Sequence, residues 1–97
     1  MMSFVSDRPA PGQVDPSELT AGQLAALRTI AGYRMTRVKG GWQAPGSPKV
    51  TLTTAQYLGH LRLVMRRVYN GRERIEATAT GRNTLAVADQ RRERRAR

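Results

Sequence analysis

Two six-residue runs, Val64-Met65-Arg66-Arg67-Val68-Tyr69 and Arg72-Glu73-Arg74-Ile75-Glu76-Ala77, are separated only by Asn70-Gly71. Asn and Gly both tolerate the positive φ that a type I′ turn demands at its two central positions, so the segment is constrained to a tight β-hairpin. A two-residue loop also sets the register, with Tyr69 opposite Arg72, Val68 opposite Glu73, Arg67 opposite Arg74, Arg66 opposite Ile75, Met65 opposite Glu76 and Val64 opposite Ala77. Alternation then places Val64, Val68, Ile75 and Ala77 on one face with Arg66 and Glu73, and Arg67, Tyr69, Arg72 and Arg74 on the other with Met65 and Glu76. Arg67 opposite Arg74 is a like-charge pair, unfavourable on its own and relieved by a bound phosphate.

Helices are expected on both sides of this hairpin. Thr20-x-x-Gln23 reads as a capping box with Leu19 and Leu24 as its hydrophobic staple. It opens a scaffold helix whose apolar positions are Leu24, Leu27, Ile30 and Ala31, and which Gly32 is placed to end. Residues 33–39 alternate like a strand until Gly40-Gly41 interrupts them, residues 43–48 are loop-like, and residues 49–52 pair back as a short strand. Thr53 begins a second helix with a box to Gln56, running to about residue 61 to 63 and burying Ala55 and Leu58, with Leu63 closing the core behind it. Thr78 caps a last helix with Leu85, Ala86 and Val87 as its main apolar content. The expected division is a Pro-rich flexible arm over residues 1–18, a domain over 19–88 and a basic, solvated tail over 89–97.

Charge is distributed unevenly across these parts. The chain of 97 residues carries a net charge of +10, with −2 in residues 1–18, +9 in 19–88 and +3 in 89–97. The excess therefore lies in the folded part, as expected of a surface that meets a polyanion. Fifteen of the 17 basic residues are Arg, whose planar fork suits phosphates and guanine edges. A GC-rich coding sequence accounts equally for that ratio but not for the net charge. No cysteine is present, which removes disulfides and thiolate metal sites and fits a reduced, cytoplasmic setting. There is no basic, apolar leader at the start and no apolar run of membrane-spanning length, so no membrane partner is expected.

Residues 63–67, the hairpin and Ala77-Thr78-Ala79-Thr80-Gly81-Arg82-Asn83-Thr84-Leu85 resemble the ending of winged helix-turn-helix proteins, in which a recognition helix leads into a "GLV" strand, a wing and an "LTxxGRxxL" helix start. Residues 38–46 and 50–56 are similar to small proteins of bacterial phages and prophages with that ending, so the resemblance covers roughly residues 19–88. It implies an α+β fold in the order helix, strands, helix, hairpin wing, helix. Three departures stand out. Arg62 replaces the usual Gly, so that the second helix ends under strain or elsewhere. Ala77 replaces the usual Leu and thins the core. The residues 40–48 that should supply the first helix of the helix-turn-helix are not helical, so that element is degenerate.

By the resemblance, the helix from Thr53 is a recognition helix presenting Thr53, Thr54, Gln56, Tyr57, His60 and Arg62. Gln pairs with adenine and Arg with guanine, although a polar helix face is as readily just solvated, and His60 reads first as a surface histidine. Tyr57 is free to stack, to contact phosphate or to cover the first turn. Arg67, Arg72 and Arg74 are the expected wing contacts to phosphate, with Arg34, Arg37 and Lys39 as accessory positions. Trp42 reads as a packing anchor, with base stacking as its alternative. With one His, no Cys and seven scattered acids, nothing points to an enzyme, a metal or another cofactor. The function implied is binding of double-stranded DNA as a transcriptional regulator of a phage or mobile element, alone or as a homodimer. The alternative is a module that binds a host or phage protein, such as a defence complex, through the basic face; RNA binding is a weaker third option.

Overall fold

The computed structural model describes residues 14–96. Helix α1 (Ala21–Gly32) is followed by strands β1 (Met35–Val38), β2 (Gly41–Gln43) and β3 (Val50–Thr51), helix α2 (Leu52–His60), strands β4 (Val64–Tyr69) and β5 (Arg72–Ala77), and helix α3 (Ala79–Ala96). The fold is α+β, with one antiparallel sheet in the order β3-β2-β1-β5-β4. No helix among the described residues is long and apolar enough to cross a membrane.

The expected capping box opens α1: Gln23 N–H donates to Thr20 Oγ1 at 3.1 Å, and Thr20 N–H donates to Gln23 Oε1 at 3.0 Å. Its buried stripe, Leu27 and Ile30, lies against one face of the sheet together with Leu58 of α2 and Leu85 of α3. That face contributes Met35, Trp42, Val50, Val64, Ile75 and Ala77 to the same core. Trp42 is almost wholly buried, so its role as a packing anchor holds and base stacking by its ring does not.

Three expectations change in this middle and terminal part. Gln43, expected in the loop, belongs to β2 and pairs with Thr36 of β1, while Trp42 beside it pairs with both Arg37 of β1 and Val50 of β3. Gly41 makes that pairing possible, because a Cβ there would lie 2.2 Å from the Val50 carbonyl oxygen. Residues 14–18, assigned to a flexible arm, instead make a 3-10 turn at Pro16–Glu18 capped by Asp15. Val14 is tied down by the Thr84 hydroxyl, which donates to its carbonyl at 2.7 Å; the rest of that arm, residues 1–13, lies outside the described residues. Residues 89–96, expected as a tail, continue α3 without a break. Arg28 of α1 donates to Asp89 at 2.8 Å and Arg91 bonds Asp15, so the helix is held from outside where its own apolar content runs out.

Thr78 explains the start of α3. Its hydroxyl accepts from Gly81 N–H at 3.1 Å and donates to the Arg62 carbonyl at 2.6 Å, joining the helix start to the end of α2. Gly81 packs on the backbone there, since a Cβ would stand 2.1 Å from the Leu63 carbonyl oxygen. The spacing Thr78-x-x-Gly81 thus encodes a cap and a close approach together.

Candidate nucleic-acid interface

Helix α2 begins two residues earlier than its sequence suggests. Thr51, not Thr53, is the cap: its side chain accepts from Thr54 N–H at 3.3 Å and donates to Thr54 Oγ1 at 3.0 Å. Thr54 is half-buried, with its hydroxyl oxygen accepting from Thr51. With Ala55 and Leu58 buried, the opposite side of the helix exposes Thr53, Gln56, Tyr57 and His60, spaced as a single stripe. Four of the six positions expected on the recognition face are therefore brought together by one helix surface.

The fifth, Arg62, follows the helix with φ 64°. Leu63 N–H donates to the Leu58 carbonyl and Arg62 N–H to the Gly59 carbonyl, both at 3.0 Å. This is a Schellman ending, with the buried pair Leu58 and Leu63 supplying its apolar contact. The left-handed position normally falls to Gly, so the strain that the resemblance implied at Arg62 is present. Its side chain is exposed at the end of the stripe.

The hairpin has the full register expected from its turn, and Asn70 and Gly71 take φ 52° and 79°. Arg67, Arg72 and Arg74 share the face turned away from the helices. Two of the three are already engaged. Arg67 donates to the Tyr69 hydroxyl at 3.3 Å, that hydroxyl donates to Glu76 at 3.0 Å, and the Arg67 guanidinium lies 3.8 Å from the Glu76 carboxylate. The Arg74 guanidinium lies over the Tyr69 ring, 4.9 Å from its centroid. The like-charge pair is thus relieved from within, by Tyr69 and Glu76, and does not depend on a phosphate. Arg72, next to the turn, has no such partner among the described residues.

The accessory positions divide between the two sides of the sheet. Arg34 lies beyond Met35 on the side of Arg74. Arg37 lies on the helix side, donating to the Val38 and Gly41 carbonyls and covering the Trp42 ring at 5.8 Å. Lys39 is exposed at the β1–β2 turn. The α2 stripe and the wing arginines consequently do not form one continuous surface.

Arg66 is the basic residue on the helix side of the hairpin. It lines a groove between α2 and β4 together with Gln56 and Gly59, above an apolar floor of Trp42, Ala55 and Val64. Its side chain is well exposed and 3.7 Å from Glu73. Strand alternation alone assigns it to this face, but a face shared with Val64 and Ile75 reads as core, and the signal passes unnoticed. Arg82, in the first turn of α3, was likewise outside the expected set.

No protein-family model, curated protein or solved structure matches this chain.

Proposed function

We propose that the protein binds double-stranded DNA through α2, as a winged-helix module in which the β2–β3 strands stand where a first helix-turn-helix helix would be. One observation carries this reading: the stripe Thr53, Gln56, Tyr57 and His60 is uncovered among the described residues and is flanked by two exposed guanidiniums, Arg62 and Arg66. A short helix edged by cations is the arrangement that reads a major groove while phosphates on its walls are held. Gln56 has the amide geometry for an adenine edge, and Arg62 and Arg66 supply phosphate contacts. Arg72, at the hairpin tip, is the wing contact this arrangement favours over Arg67 and Arg74. The order of elements and the basic domain support a transcriptional regulator, and the resemblance of the hairpin and α3 start supports a phage or mobile element as its setting.

The test is selection of bound fragments from random and self-derived duplexes, followed by a salt series on the selected site. Arg66→Ala should lower affinity for all duplexes and reduce the salt slope by about one. Gln56→Ala should cost about 1–3 kcal/mol on the preferred site and relax its sequence preference. Absence of any enriched fragment at low salt would overturn the reading. A protein partner is the second reading, favoured by β4 as an edge strand that leaves Met65 and Val68 exposed. Co-purification of a protein at moderate salt, without nucleic acid, would select it.

A further inference from the structure

A second groove, of about 440 Å³, lies where the end of α1, the start of β1, the end of β5 and the first turn of α3 meet. Its size falls within the range of small-ligand sites. Ile30, Met35 and Ile75 form part of its wall, and three arginines also line it, Arg34 from the α1–β1 connection, Arg74 from β5 and Arg82 from α3. The only carboxylate among its lining residues is Glu76, which already accepts from Tyr69 and faces Arg67. The side chains of Arg34 and Arg82 have no ion-pair or hydrogen-bond partner among the described residues. Arg74 Nε is the one buried side-chain nitrogen or oxygen among the described residues that lacks a hydrogen-bond partner. Three convergent cations beside a single, already engaged carboxylate cost free energy that an anion returns, and a buried N–H without an acceptor costs about 1–3 kcal/mol until it finds one.

Two aromatic rings complete the groove. Tyr69 lies beneath the Arg74 guanidinium, fixing its plane so that its edges are left to an acceptor. Tyr33 lines the groove beside Arg34 and is 44% exposed, so its ring is accessible to a planar group that stacks. We propose that this groove binds a nucleoside phosphate, with the phosphate held by Arg34, Arg74 and Arg82 and the base on Tyr33. The site is formed by other residues than the α2 stripe and its flanking Arg62 and Arg66, so it stands or falls separately from duplex binding. Its ligand comes either as a free nucleotide or as one unit of a single strand.

The test titrates the full-length protein with nucleoside monophosphates, an oligothymidylate and inorganic phosphate at about 50 mM salt, where phosphate contacts are strong. Arg82→Ala and Arg34→Ala should each weaken the bound form roughly tenfold, as loss of a charged hydrogen bond implies. Tyr33→Ala should weaken nucleotide or oligonucleotide and leave phosphate unaffected. Saturable binding of monophosphates identifies a free nucleotide as the ligand, whereas binding of the oligomer alone identifies a strand. Either supports the site. Equal affinity for phosphate and nucleotide, with no effect of Tyr33→Ala, would reduce the groove to an unspecific anion trap and overturn the proposal, as would binding of none of the probes. Arg66→Ala separates the two readings: loss of duplex affinity with nucleotide affinity kept leaves this site standing whatever becomes of α2.

Discussion

Arg91 grips Asp15 across 76 positions of sequence through two parallel hydrogen bonds, Nη1 to Oδ1 at 2.7 Å and Nη2 to Oδ2 at 2.8 Å. The hydrogen bonds from Arg91, followed by those from the Ser17 backbone N–H and hydroxyl, hold the Asp15 carboxyl well below its ordinary pKa of 3.8. A carboxylate whose pKa is lowered on folding contributes stability that is complete above its unfolded value and is lost as pH falls below it. The wild-type protein should therefore lose stability progressively below about pH 4, while Asp15→Asn, less stable by about 1–2 kcal/mol at neutral pH, should show a shallower loss over that window. Denaturant unfolding of both proteins across pH 2–6 checks this, and parallel curves would show that the pair contributes nothing. Amide exchange around residues 14–18 should quicken in the variant.

The left-handed Arg62 predicts a gain of stability from a change that removes a charge. A non-glycine residue at that φ costs roughly 1–2 kcal/mol, and glycine returns part of this as greater freedom in the unfolded chain. Arg62→Gly should stabilise the protein by about 1 kcal/mol, or roughly 4–8 °C in Tm for a domain of this size. The same variant should bind duplex DNA more weakly. Thermal unfolding and a binding titration on one preparation measure both, and a fall in Tm would mean that the Arg62 side chain makes a stabilising contact.

Much of this arrangement was legible because single residues carried backbone demands. Asn70-Gly71 specified turn, register and faces together, and Thr20 and Thr78 each announced a helix start through an acceptor placed three residues before an N–H. The position of Arg62 was visible only as a departure from a pattern, and its strained φ is the physical content of that departure. What was not legible depended on partners distant in sequence. β2 is three residues long and opens on a glycine that reads as an interruption, when in fact it admits the Val50 carbonyl. Thr51 and Thr53 both offer a cap, and the pairing of Val50 and Thr51 into the sheet decides between them. The last turns of α3 have little to bury, but Arg, Ala and Glu are good helix formers, and the Asp15 and Asp89 pairs fix the helix from elsewhere. The division of basic residues between the two faces of the sheet also lay partly out of reach, since alternation gives a side chain's face but not what covers it.

Gly81 should tolerate almost nothing larger. The Leu63 carbonyl oxygen occupies the place of a Cβ, and Leu63 also accepts from Thr78 N–H at 2.9 Å, so neither backbone can withdraw freely. Gly81→Ala gains helix propensity of under about 1 kcal/mol but forces α3 away from the end of α2, with a net loss of about 2–3 kcal/mol expected. Neutral or increased stability by denaturant unfolding would show that α3 shifts at little cost.

Glu76 is the residue that most limits the basic character of the open sheet face. Its carboxylate faces Arg67 and accepts from Tyr69, whose ring lies under Arg74, so one acid tempers two directly opposed arginines. Both charged side chains are partly exposed, and the ion pair itself is worth well under about 1 kcal/mol. Glu76→Gln keeps the shape and an acceptor for Tyr69 while exposing the Arg67–Arg74 repulsion, so the hairpin should weaken by about 0.5 kcal/mol. The same change leaves both guanidiniums free for phosphate. Affinity for an oligothymidylate should rise, and its dependence on salt should steepen by up to about one unit of slope, since each neutralised phosphate releases its counterion. Fluorescence anisotropy over a salt series reads both quantities. If slope and affinity stay as in the wild type, the open face takes no part in binding and its arginines serve only the hairpin.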